Sequence, residues 1–280
     1  MKEFAGTLTV RETSPGGGVA DPAEEWPDGW MQHPGRVALL VHGFNNDERE
    51  ATEAYAALRR NLPEGPAQVG CFHWPGDADF GWFRFADFLS YPDEIPDARE
   101  AARVLANHLV DLHRDCPAVE LVLIGHSLGC RVILETLRRL VGRPAPPIAA
   151  IVLMAAAVPV ELCEAGGPLC VAGSLADERI VLHSGSDSVL RFAFPMGQAA
   201  AFAIGHEPDA YLEPMGLDGD PVGFATAERD LARNAHGHYW GDPRVAEVIA
   251  AELGRAPARW LTFRTLPRHA LPEPWELGRT

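Results

Sequence analysis

Hydrophobic positions fall into short apolar runs that alternate with stretches of helical spacing along the 280 residues. Phe4 to Val10 alternates apolar and polar residues in the manner of a strand. Arg36–Val41, Gln68–His73, Leu121–Ile124, Ile148–Met154 and Arg179–His183 read as buried strands. Between them, Asn46 or Asp47 can cap a helix with Ala51, Tyr55, Leu58 and Leu62 on its inner face. A longer helix starts near Pro96 and buries Ala101, Leu105, Leu109 and Leu112. His108 lies on that stripe and reads as a core residue rather than a ligand. Leu128, Val132, Ile133, Leu137, Leu140 and Val141 mark a third helical face. Phe192–Ile204 is an apolar, alanine-rich helix, and Pro243–Leu253 is the last one. Thr13–Gly35 is expected as a surface loop, Cys163–Asp177 as a connector and Glu207–Gly223 as a turn-rich loop. Strands alternating with helices imply βαβ crossovers, hence a mainly parallel sheet with helices on both faces. In such sheets ligands bind beyond the C-terminal ends of the strands.

The length suits one α/β domain over 1–280 with a large core. A formal charge of -15 argues against nucleic acid and anionic membrane surfaces as partners. The longest apolar run, Ile148–Val160, is too short to span a bilayer. No apolar h-region follows the charge at the N-terminus, so no signal peptide is expected. Cys71, Cys116, Cys130, Cys163 and Cys170 show neither a CxxC pair nor metal-ligand spacing. They read as free thiols in a reducing, cytoplasmic compartment, although Cys163 and Cys170 flank a turn that a bridge could close. Phe80, Trp82, Phe83, Phe85, Phe88 and Tyr91 share a stretch without a clean period. Segments 77–93 and 192–223 are therefore candidate covers of a pocket, with Trp82 and Phe83 as candidate substrate contacts. Residues 255–280 read as an extended C-terminal arm.

The candidate chemistry centres on Gly125-His-Ser127-Leu-Gly129, which joins the Leu121–Ile124 strand to a helix without a break. A strand, a sharp turn and a helix with serine at the apex form a nucleophile elbow. The two glycines let strand and helix approach closely. A serine hydroxyl is a poor nucleophile at neutral pH and needs a base, which in turn needs a group to orient it. Asp187 follows a strand through Ser184-Gly-Ser. It can serve as that acid or as a helix N-cap, and Asp209, Asp218 and Asp220 are its rivals. His236 and His238, just before the last helix, are both candidate bases. His126 is expected to point away from Ser127 and to pack or bond locally. An oxyanion needs preorganised donors. The Leu128 amide at the helix start and the Phe44 amide after His42-Gly43 are the candidates.

Val41-His-Gly-Phe-Asn-Asn46, Phe72-His-Trp-Pro75, Gly125-His-Ser-Leu-Gly129, Ser184–Asp187 and Met215-Gly-Leu-Asp-Gly219 occur in that order. Together they resemble the motifs of a largely uncharacterised bacterial α/β-hydrolase family marked by His-Gly-Phe-Asn-Asn. The resemblance runs from about Val37 to Val248. It implies an α/β-hydrolase fold and a serine hydrolase of esterase or lipase type, acting on a small-molecule ester with no cofactor and no metal. The family's serine, acid and histidine fall on Ser127, Asp187 and His236, the histidine by its spacing to Tyr239-Trp240. Thioesters, lactones and amides remain open, because one triad serves them all. So does a non-catalytic module holding a small apolar ligand, although a full Ser, acid and His set counts against it. The sequence sets no oligomeric state.

Overall fold

The computed structural model describes residues 4–11, 18–25, 35–44, 47–63, 68–76, 91–220 and 222–255. Among these, eight strands form one sheet. They are β1 (Gly6–Arg11), β2 (Val19–Glu25), β3 (Gly35–Val41), β4 (Gln68–His73), β5 (Val119–His126), β6 (Ile148–Met154), β7 (Ala176–His183) and β8 (Ala227–Asp230). The spatial order is β2-β1-β4-β3-β5-β6-β7-β8. All neighbours pair in parallel except β1 and β2. Every residue of β5 and β6 is buried, as central strands covered on both faces require. The helices are α1 (Glu48–Asn61), α2 (Tyr91–Asp115), α3 (Leu128–Leu140), α4 (Cys170–Gly173), α5 (Phe194–Ala203), α6 (Met215–Asp218) and α7 (Pro243–Gly254). They pack in two groups, α1 with α7 and α2 with α3 and α5. No described helix is long and apolar enough to cross a membrane.

Local chemistry explains the boundaries. Asp47 caps α1 through its carboxylate to the Glu50 amide at 2.6 Å, and the Glu50 side chain returns to the Asp47 amide. Ala51, Tyr55, Leu58 and Leu62 are buried as the spacing anticipates. α2 starts at Tyr91, five residues before the expected Pro96, and runs through that proline. Pro96 has no N–H to offer the Pro92 carbonyl one turn back. The His206 ring meets that carbonyl instead, with Nδ1 at 3.0 Å. His108 is half-buried rather than part of the core stripe. Val141 lies just past the end of α3 and is exposed, not packed.

Two strands escape sequence pattern. β2 lies inside the segment expected as a loop, and its Pro22 is tolerated because it is an edge strand. β8, Ala-Glu-Arg-Asp, has no apolar alternation and sits at the opposite edge. The expected connector and the turn-rich loop contain the short helices α4 and α6. All five cysteines are free thiols, Cys163 and Cys170 included.

A buried charge cluster joins α2, α3 and the segment after α5. Arg131 lies 3.1 Å from Glu135 and faces Glu207 at 3.2 Å, while Arg99 reaches Glu207 at 2.9 Å. Burial pushes the Glu135 carboxyl up, but Arg131 and Arg138 outweigh it and hold it below the usual range.

Helix α3 meets the sheet at very short range. A Cβ on Gly129 would collide with the His42 carbonyl and stand 2.6 Å from the Val41 carbonyl oxygen. Alanine gains about 1 kcal/mol of helix propensity over glycine, but overpacking of this kind costs roughly 3 kcal/mol. Gly129→Ala should therefore lose about 2 kcal/mol in urea denaturation. Unchanged stability would mean that α3 stands farther from β3 than described.

Three adjacent strands end on buried histidines: His73 closes β4, His42 follows β3, and His126 closes β5. Burial and then nearby positive charge push His73 down to about 4 and His126 down to about 3. Below pH 6.5 the unfolded chain takes up protons that the folded chain refuses, so stability is lost as the pH is lowered. Each of the two should contribute a slope of about 1.4 kcal/mol per pH unit between about 6.5 and its folded value. Chemical denaturation at pH 7.5, 6 and 5 checks this; a flat profile would contradict neutral burial of these rings.

Candidate active site

Ser127 is the single residue between β5 and α3, with φ 52° and ψ −123°. A non-glycine residue in such a conformation costs about 1–3 kcal/mol and must be held by its surroundings. Its N–H donates to the Met154 carbonyl at 2.9 Å. Its own carbonyl accepts from the amides of Cys130 at 3.1 Å and Ala157 at 3.2 Å. The turn is thus bonded to the end of β6, the segment beyond it, and the first turn of α3.

His236 opens a 3₁₀ turn, His236–Gly241, that leads into α7. Its Nε2 lies 2.9 Å from Ser127 Oγ and its Nδ1 lies 2.7 Å from Asp187 Oδ2. A carboxylate only accepts, so Nδ1–H donates to Asp187 and Nε2 is left to receive the serine proton. Asp187 is fully buried, whereas the His236 side chain keeps 18% exposure. The other carboxylate oxygen of Asp187 accepts from the amides of Val189 at 3.0 Å and Leu190 at 3.1 Å. Asp187 therefore fills both roles that the sequence leaves open, capping the turn toward α5 and bonding the imidazole. Asp209 and Asp218 are exposed, and Asp220 bonds the amides of Val222 and Ala225. His238 is exposed and lines a groove with Ala54, Ala57 and Trp240, a lining that does not include Ser127.

The His42-Gly43-Phe44 loop abuts the serine: a Cβ on Gly43 would stand 2.8 Å from Ser127 Cβ. The loop is clamped from beneath. His42 Nε2 accepts from the Trp74 amide at 3.2 Å, so its Nδ1–H donates to the Gly43 carbonyl at 2.9 Å. Trp74 Nε1 donates to the His42 carbonyl at 2.9 Å, and the two rings stack. The His42 amide donates to the Tyr55 hydroxyl at 2.6 Å, which donates to the Phe72 carbonyl at 2.8 Å. Burial and then the neighbouring His73 hold His42 well below the usual histidine range, so the clamp stays neutral. The sequence flags Trp74 only as part of a motif. The signal for its role is chemical: a buried indole N–H needs an acceptor.

Phe44 packs edge-on against Tyr91, which packs edge-on against Phe194 of α5. Gln198 donates to the Tyr91 hydroxyl at 3.1 Å. Of the aromatic stretch, only Tyr91 falls among the described residues, and Trp82 and Phe83 lie outside them. Leu128 is the first residue of α3, so its amide is among those the helix itself leaves without a partner. Among the described residues no group of three His, Cys, Asp or Glu is arranged to hold a metal ion.

Solved structures share features with this chain. The chain is similar to acyl-protein thioesterase 2 of Zea mays, at 17% identity and a TM-score of 0.45, covering 79% of this chain and 95% of that one. It is similar to carboxyl esterase 2 of Tuber melanosporum, at 12% identity and a TM-score of 0.44, covering 90% and 92%. The catalytic core domain of acetyl xylan esterase from Trichoderma reesei follows at 13% and 0.41, covering 79% and 98%. No curated protein matches. A family model described as "Alpha/beta hydrolase of unknown function (DUF900)" matches residues 28–199, more than half of the chain, and the protein belongs to that family.

Proposed function

We propose that the protein is a serine hydrolase that cleaves a carboxylic ester through an acyl-enzyme. The observation that carries this reading is the unbroken chain of short contacts from Ser127 Oγ through His236 to Asp187. In it, Ser127 Oγ attacks the ester carbonyl while His236 Nε2 takes the hydroxyl proton. Asp187 holds the tautomer and stabilises the imidazolium. Collapse of the tetrahedral intermediate expels the alkoxide, which takes the proton from His236. Water, deprotonated by the same nitrogen, then releases the carboxylic acid and restores the serine. The amides of Leu128 and Phe44 are the proposed donors to the oxyanion, the first at a helix N-terminus and the second on the clamped loop beside Ser127. Tyr91, Phe44 and Phe194 offer an apolar wall for the acyl or alcohol group. Of the segments expected to cover the pocket, the chain from 192 to 220 is proposed to do so within one domain, and 77–90 lie outside the described residues. The reading calls for no cofactor, and the five free thiols fit a reducing, cytoplasmic compartment.

Ser127→Ala should abolish turnover of p-nitrophenyl esters, because losing the serine of a triad costs on the order of a million-fold in kcat. A fluorophosphonate probe should label the wild type and not this variant. Retention of more than roughly a tenth of the activity would remove Ser127 from the mechanism.

The two histidines should separate cleanly. His236→Ala is expected to lose several orders of magnitude in kcat, and His238→Ala, whose ring is exposed, much less. The wild-type rate should rise with pH and level off as the base loses its proton. A near-normal His236→Ala beside an inactive His238→Ala would reverse the assignment.

A further inference from the structure

His126 ends β5, one position before Ser127. Its ring does not bond locally. It reaches the turn that carries His236, where Nε2 lies 2.7 Å from the His236 carbonyl oxygen. A carbonyl oxygen only accepts, so Nε2 carries the proton and donates. The His126 ring lies 4.9 Å from the His236 ring between centroids, and 5.9 Å from those of Tyr239 and Trp240. On its other side, a Cβ on Gly43 would stand 3.2 Å from Nδ1. One buried ring thus spaces the elbow, the loop before Phe44 and the turn of the base.

We propose that His126 is a positioning residue whose Nε2–H holds the His236 backbone so that the His236 ring meets Ser127 Oγ. This rests on the serine-hydrolase reading above. Two consecutive residues grip His236 at two points, Ser127 at the ring and His126 at the carbonyl. Asp187 and Ser127 hold the two ring nitrogens, and His126 adds a hold on the backbone from which the ring projects. The turn needs such a hold. Gly237 and His238 are exposed, and Arg233 just upstream adopts a φ of 76°. A displacement of about 1 Å in a catalytic group can cost a hundredfold in rate.

The neutrality of the ring completes the arrangement. Burial, then the adjacent His236, push His126 down to about 3. It therefore adds no positive charge beside the imidazolium that forms on His236 during attack. A histidine that protonated here would oppose the same proton transfer it helps to align. An N–H donor without charge is what the position calls for, and glutamine supplies one from a side chain of similar reach.

The test compares His126→Phe, which keeps a ring and loses the donor, with His126→Gln, which keeps a neutral donor. With a p-nitrophenyl acetate assay, His126→Phe is expected to lose roughly 10- to 100-fold in kcat with KM within about twofold. His126→Gln is expected to recover to within about threefold of wild type. Should the phenylalanine variant not fold, His126→Leu, which also lacks the donor in a smaller side chain, carries the same comparison. A donor-free variant within twofold of wild type, or a glutamine variant no better than the donor-free one, would overturn the role of His126. Failure of a fluorophosphonate probe to label wild-type Ser127 would instead overturn the hydrolase reading itself.

Discussion

One residue separates the central strand from the helix that follows, and the site depends on that economy. With Ser127 alone between β5 and α3, the chain must reverse within a single strained residue. Helix α3 then starts so close to the sheet that a Cβ on Gly129 would collide with the carbonyls of Val41 and His42, and a Cβ on Gly125 would stand 2.8 Å from Ile133 and 3.0 Å from Cys130. The strain is offset by bonds from three directions: Met154 at the end of β6, Ala157 beyond it, and Cys130 in the helix. Because β3 and β6 flank β5 in register, the loops that follow them come up beside Ser127. Convergence at this edge is a consequence of parallel pairing, and side chains from distant parts of the sequence inherit it.

Three histidines near this edge are kept without charge, while an ion-pair cluster sits farther along α3. His42, His73 and His126 are all buried and all held below the ordinary histidine range. Their cost is desolvation, reduced by bonds to backbone such as His42 to Gly43 and His126 to His236. Arg131 and Glu135 on α3 lie against each other, with Arg99 and Glu207 completing the set, and the neighbouring arginines hold Glu135 below the usual carboxyl range. Buried pairs of this kind contribute little net stability, but losing one partner strands the other, so they enforce a particular packing. Here the packing they enforce joins α2, α3 and the chain leaving α5.

Much of this was legible in the residues. β4 and β6 fall where the apolar runs place them, because buried central strands carry a dense hydrophobic signal. The edge strands did not announce themselves. β2 contains Pro22 and three acidic residues, β8 is Ala-Glu-Arg-Asp, and neither needs an apolar face at the margin of a sheet. α2 starts before the boundary that Pro96 suggests, because the group that makes the proline tolerable, His206, is supplied from far along the chain. In the candidate site, Ser127, Asp187 and His236 stand together, as their order along the chain suggests. What spacing could not convey is the support: Trp74 beneath the His42 loop and His126 against the His236 carbonyl. Those contacts join residues 32 and 110 positions apart, beyond the reach of any local pattern.

Asp187 divides its two oxygens between the imidazole and the amides that begin the turn toward α5. The same carboxylate therefore terminates two different structures. Phe194 in α5 also packs against Tyr91, which in turn packs against Phe44 of the loop beside Ser127. Any insertion, deletion or change of pitch at the start of this helical segment pulls on the carboxylate whose other oxygen meets His236. The far end of α5 is not tied to the acid in this way; the chain beyond it is held instead by Glu207 to Arg99 and Arg131 and by His206 to the Pro92 carbonyl.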